Sequence, residues 1–93
     1  MKRLLLRSAT FIKAARRLVR KRPWIAAVLH ETLQLLSEDT FHPLLTTHKL
    51  KGKLAGTYAC SAGFDLRIVF EFVHYQGEDA ILLLTVGTHE EVY

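Results

Sequence analysis

Apolar residues follow two different periodicities along the chain. In the first, Phe11, Ala14, Ala15, Leu18 and Val19 recur every three or four positions, which gathers them on one face of a helix and leaves Lys13, Arg16, Arg17 and Arg20 on the other. Ser8 stands just ahead of this run, and its hydroxyl can accept a hydrogen bond from an early helical N–H. Pro23 lacks the amide hydrogen that a helix interior needs and disfavours helical geometry at Arg22. It therefore closes the first helix and suits the first turn of a second. The second helix runs to about Ser37, with Ile25, Val28, Leu29, Leu33 and Leu36 as its apolar stripe, and the two pack as a hairpin.

Beyond Asp39 the period changes to two. Pro43, Gly52, Gly56 and Gly63 punctuate short pieces, and strands are expected at Thr57–Ser61, Asp65–His74 and Ala80–Val86, with Gln76-Gly77-Glu78-Asp79 as a turn. Lys2–Arg7 is a further short strand. Helices followed by a meander predict an α+β fold, in which a helical hairpin packs on one face of a small antiparallel β-sheet, with residues 1–93 forming a single domain. In the central strand, alternation sends Leu66, Ile68, Phe70 and Phe72 under the helices. Asp65, Arg67, Val69 and Glu71 then share the uncovered face. The closing stretch Gly87-Thr88-His89-Glu90-Glu91-Val92-Tyr93 should arrive beside Asp65 and Arg67, with Gly87 providing the bend.

Composition narrows the function. At 49% apolar residues the chain can build a core, yet no run approaches the ~18 residues of a membrane span. Cys60 is the only cysteine, so neither an internal disulfide nor a thiol pair for a metal is possible, which fits a reducing cytoplasm. The net charge of +4 hides an asymmetry, because residues 1–22 hold nine of the thirteen Lys and Arg and no acid precedes Glu31. Such a start attracts polyanions, nucleic acid above all, and would also hold an acidic protein. It has the composition of a transit peptide too, but removing it would delete a helix that the small core needs. Trp24 is expected in the core, and His30, His42 and His74 as structural or solvent-exposed.

The groups left for chemistry are His48, Asp65, Arg67, His89 and Tyr93, with Lys49, Lys51 and Lys53 around the first of them. No HxH or HExxH spacing and no nucleophile motif occurs, so neither a metal nor another cofactor is expected. An acid–base–cation set of this kind suits RNA cleavage by the substrate's own 2′-hydroxyl, with one group taking a proton, another giving one to the 5′-oxygen, and a cation steadying the phosphate. Which histidine gives and which takes is open at this level. Tyr93 could stack on a base, and Lys13, Arg16, Arg17 and Arg20 could meet nucleic-acid phosphates. The plainer alternatives are a surface ion pair of Arg67 with Asp65 or Glu71, a turn-capping Asp65 and a merely solvated helix face.

Three stretches, His48-Lys49-Leu50-Lys51-Gly52-Lys53-Leu54-Ala55-Gly56, Asp65-Leu66-Arg67-Ile68-Val69-Phe70 and the closing Gly87-Thr88-His89-Glu90-Glu91-Val92-Tyr93, resemble the RelE superfamily of bacterial toxins, most closely its YafQ-like branch. The resemblance covers nearly the whole chain. It implies a cytoplasmic, metal-independent endoribonuclease that cleaves mRNA on the ribosome, is monomeric alone and forms a hetero-oligomer with a cognate antitoxin. His48, Asp65, His89 and Tyr93 match functional positions of the YafQ-like branch, and Arg67 matches an arginine common in the wider superfamily. Ser61 and Thr85 depart from the pattern, standing where the branch can place a histidine and an arginine. The other functions the resemblance leaves open are a non-enzymatic, ParE-like gyrase inhibitor and an RNA-binding relative with weakened catalysis.

Overall fold

The computed structural model describes residues 2–93. Its elements are β1 (Leu4–Arg7), α1 (Ala9–Lys21), α2 (Ile25–Glu38), β2 (His48–Lys49), β3 (Tyr58–Ala62), β4 (Leu66–Tyr75), β5 (Glu78–Thr88) and a terminal turn of helix, α3 (His89–Val92). One five-stranded sheet runs in the order β1-β5-β4-β3-β2. The expected α+β layering is present, with one difference. The short first strand joins the sheet parallel to β5, pairing Leu4 with Ala80 through Arg7 with Leu83, while the other pairs are antiparallel. A parallel pair needs a long crossover, and both helices lie between β1 and β5 in sequence.

Local chemistry accounts for the boundaries. The Ser8 hydroxyl accepts the Phe11 amide at 3.0 Å and caps α1. Pro23 falls in the connection just before α2, one residue outside the expected first turn. Trp24 is 62% exposed and does not join the core, because the α2 stripe that faces inward begins only at Ile25. The β4–β5 hairpin closes over two residues, Gln76 and Gly77, with φ of 51° and 79°. Positive φ at both positions matches the right-handed twist of the flanking strands. Glu78 and Asp79 thus belong to β5, where Asp79 meets His74 across the hairpin at 3.2 Å.

The core lies between the helices and one face of the sheet. Phe11, Ile25, Leu29, Leu33 and Leu36 meet Cys60, Leu66, Ile68, Phe70, Ile81, Leu83 and Val86 there. Phe72 packs against it as expected, in an aromatic group with Tyr58, Phe70 and Phe41. The helices share this face more than they share each other: α1 lies mainly along β5, and α2 reaches β3.

Ile81, Leu83 and Val86 break the alternation of β5, since residues 83 and 86 could not share a face of a regular strand. The register explains it: Val69 pairs with Thr85 and Phe70 with Leu83, so Leu84 has no partner and forms a β-bulge. Ser8 holds the bulge. Its amide donates to the Leu83 carbonyl at 3.1 Å, and its hydroxyl donates to the Leu84 carbonyl at 3.0 Å while capping α1. Ser8→Ala removes the cap and leaves the bulge carbonyl without its hydroxyl donor. Urea unfolding should show a loss of about 1–2 kcal/mol with an unchanged m-value.

Candidate active site

Because of the bulge, the face of the sheet turned away from the core carries two cross-strand rows. Ser61, Arg67 and Gly87 form one, and His48, Ala59, Val69 and Thr85 form the next. Ala59 and Val69 are fully buried and make an apolar floor. Arg67 is half-buried, and its Nη1 donates to the Leu66 carbonyl at 2.9 Å. Cys60 points the opposite way into the core. Burial pushes its thiol up to about 12, against the opposing pull of a backbone hydrogen bond at Ile68 and of the Arg67 charge, so it is no nucleophile at neutral pH.

His48 reaches this face from the other edge. The chain before it makes a 3₁₀ turn, Pro43–Leu45, that ends at Thr46 in the left-handed region, with φ 47° and ψ 41°. The Thr46 carbonyl lies 3.0 Å from His48 Nδ1, and the Thr46 hydroxyl lies 2.7 Å from that of Ser61. A groove of about 410 Å³ opens beside this turn, lined by His48, Leu50, Lys51, Lys53, Leu54 and Tyr93. It brings together a histidine, two of the three expected lysines and the C-terminal aromatic. Lys49 lies on β2 outside the lining.

Tyr93 is placed by α3, and α3 by a capping box. The Glu91 amide donates to Thr88 Oγ1 at 3.3 Å, and the Thr88 amide donates to Glu91 Oε1 at 2.8 Å. Arg17 adds a surface ion pair to Glu91 at 3.7 Å. The expectation that Gly87 provides a bend is corrected: it is absent from the positive-φ residues. A Cβ there would come within 3.1 Å of Glu91 and 3.3 Å of Val92, so glycine spares the close return of α3 over the sheet a tight contact. This return sets the His89 and Tyr93 rings edge to face, 4.6 Å apart. Burial raises the Tyr93 phenol and the Arg67 charge opposes the rise, which puts the ring within electrostatic reach of that guanidinium.

Asp65 does not line the groove, and neither do Lys49, Arg67 and His89. Asp65 is an exposed turn residue between β3 and β4 and forms no ion pair with Arg67. Alternation carried its side chain to the site face only if β4 began one residue earlier than it does. Lys13, Arg16, Arg17 and Arg20 are all exposed along α1, as the helical spacing required. His42 caps the 3₁₀ turn by accepting the Leu44 amide at 3.1 Å. Among the described residues no three His, Cys, Asp or Glu side chains gather to hold a metal ion. Sequence reasoning missed Thr46, for which no signal exists, and the terminal helix, for which one did: Thr88-His89-Glu90-Glu91 has the threonine-to-glutamate spacing of a capping box.

The Thr88 hydrogen bonds, its amide first, hold the Glu91 carboxyl below the ordinary 4.5, with Arg17 and Lys21 assisting. A depressed carboxylate stabilises α3 above the unfolded pKa, and that support is lost as pH falls through the folded one. The protection of the Glu91 and Tyr93 amides, with the intrinsic pH dependence of exchange divided out, should therefore fall in acid before the core opens. Thr88→Ala should produce the same local fraying at neutral pH while leaving global stability nearly unchanged.

Neither a family model nor a curated protein matches the sequence. Solved structures match the fold. YafQ from E. coli strain BL21(DE3) superposes with a TM-score of 0.78 at 18% identity over 99% of both chains. A metal-bound toxin from Helicobacter pylori gives 0.77 at 26% identity over 100% of both chains. The E. coli DinJ–YafQ toxin–antitoxin complex gives 0.75 at 19% identity over 100% of this chain and 99% of the other.

Proposed function

With the chain carrying the RelE-superfamily toxin fold in its YafQ-like form, we propose that it is the toxin of a toxin–antitoxin pair and acts as an endoribonuclease on ribosome-bound mRNA. The observation that carries this reading is the groove in which His48, Lys51, Lys53 and Tyr93 surround one space, with Arg67 on the neighbouring cross-strand row of the same sheet face. Lys51, Lys53 and Arg67 supply the positive charge that a phosphate backbone needs, and Tyr93 offers a stacking surface for a base. His48 and His89 are the proton-transferring pair, and Arg67 steadies the charge that builds on the phosphate. Asp65 lies outside the groove, in the β3–β4 turn.

Single-turnover cleavage of ribosome-bound mRNA tests the chemistry. His89→Gln and Arg67→Ala should each lower the rate by about a hundredfold or more, the effect of losing a proton donor or a transition-state cation. Wild-type rates in both variants would exclude these roles. Intact mRNA together with blocked DNA supercoiling would instead favour the gyrase-inhibitor class of the same fold.

The cationic face of α1 is the surface for ribosomal RNA. Arg17 is engaged with Glu91, so Lys13 and Arg20 give the cleaner probe. Lys13→Glu with Arg20→Glu should weaken ribosome binding and reduce its salt dependence, measured by sedimentation across a salt series, without unfolding the domain. Unchanged affinity would remove this role. An antitoxin, the partner seen in the DinJ–YafQ complex, would need acidic residues against this face. Its apolar residues have a groove of about 300 Å³ between α1 and α2, floored by Phe11, Leu29 and Leu33 and rimmed by Arg7, Arg16 and His30.

A further inference from the structure

Resting on the reading of His48 as a site residue, we propose that Thr46 is a positioning residue, latched by Ser61, which makes His48 the proton acceptor and leaves His89 as the donor. A carbonyl oxygen only accepts, so the contact of 3.0 Å between the Thr46 carbonyl and His48 Nδ1 requires the ring to carry its proton on Nδ1. A neutral imidazole has one proton to place. Nε2 is then a bare lone pair, the form of a general base.

The carbonyl points at the ring because Thr46 occupies the left-handed region, with φ 47°, which β-branched residues avoid. Something must hold it there. The Thr46 hydroxyl donates to the Leu45 carbonyl at 2.7 Å and is therefore the acceptor in its 2.7 Å contact with Ser61, whose hydroxyl donates. Ser61 is fixed in turn by pairing with Arg67 in the sheet. Ser61, which departs from the histidine that the YafQ-like branch can place there, thus acquires a task of its own: it ties the turn that sets the tautomer of His48. Among the described residues no comparable acceptor holds His89, which meets the ring of Tyr93 edge to face at 4.6 Å.

In the reaction, the 2′-hydroxyl proton passes to His48 Nε2 as the 2′-oxygen bonds to phosphorus. The bond from phosphorus to the 5′-oxygen breaks with its electron pair on oxygen, and that oxygen takes a proton from the His89 imidazolium. The RNA leaves as a 2′,3′-cyclic phosphate and a 5′-hydroxyl end, with no redox partner and no water consumed in the step.

Long-range proton–nitrogen correlation spectra of the ¹⁵N-labelled protein, recorded at about pH 8 where imidazole is neutral, read the tautomer without any need for activity. The parent should show His48 protonated on Nδ1. Ser61→Ala should shift the population toward Nε2 and slow cleavage about five- to tenfold, as expected for one lost hydrogen bond, and Ser61→Thr should restore both. A parent ring protonated on Nε2, or a ring unchanged in Ser61→Ala, overturns the proposal. A 5′-bridging phosphorothiolate substrate, whose sulfur leaves without a proton, separates the two roles. His89→Gln should regain most of its rate on it and His48→Gln should not, and the reverse result overturns the assignment. A parent inactive on both substrates sinks the nuclease reading, while the spectra still decide the part played by Thr46 and Ser61.

Discussion

One unpaired residue, Leu84, determines which side of the sheet receives the C-terminal segment. In a regular strand Thr85 and Gly87 would follow Ile81 and Leu83 toward the helices, and α3 would have to return into the core. The bulge reverses them. Val86 takes the core position opposite Ile68, and Gly87 comes level with Arg67 on the other face. Bulges of this kind re-aim side chains next to functional sites. Here the device is anchored by the residue that also starts α1, so helix capping, strand register and site geometry meet at the Ser8 hydroxyl.

The two faces then divide the work. One is apolar and buried under the helices, and the other holds Arg67, His48 and the closing residues over the floor of Ala59 and Val69. Of the acids near this second face, Glu71 lies on it by the alternation of β4, while Glu91 and Asp65 are kept out of the groove. Glu91 is occupied by Thr88 and Arg17, and Asp65 lies in the turn. The groove lining contains two lysines and a histidine but no acidic side chain, an electrostatic character suited to a phosphate backbone.

Much of this was legible from the residues because it rests on local rules. The cap at Ser8, the break at Pro23 and the alternation Leu66, Ile68, Phe70 each follow from backbone stereochemistry or strand period. The bulge was not legible, since its cause lies in a contact between residues 76 positions apart. Trp24 was misplaced because its sequence position next to a stripe of core residues says nothing of where the helix axis points. Gly87 was assigned to the right place for the wrong reason: its missing side chain matters for what packs on it, and packing is not written in a single sequence. Asp65 failed by one residue of strand boundary, enough to take a side chain off a face. The Thr46–Ser61 contact spans a loop and a strand, so neither residue signals it alone.

Cleavage of messenger RNA by this cationic face, as proposed, is read most directly by mapping the new RNA ends formed when purified protein is added to ribosomes paused on a defined message. Cuts are expected within the codon held by the ribosome, each with a 2′,3′-cyclic phosphate on the upstream fragment and a 5′-hydroxyl on the downstream one. Uncut message, or ends of the opposite chemistry bearing a 5′-phosphate, would contradict it.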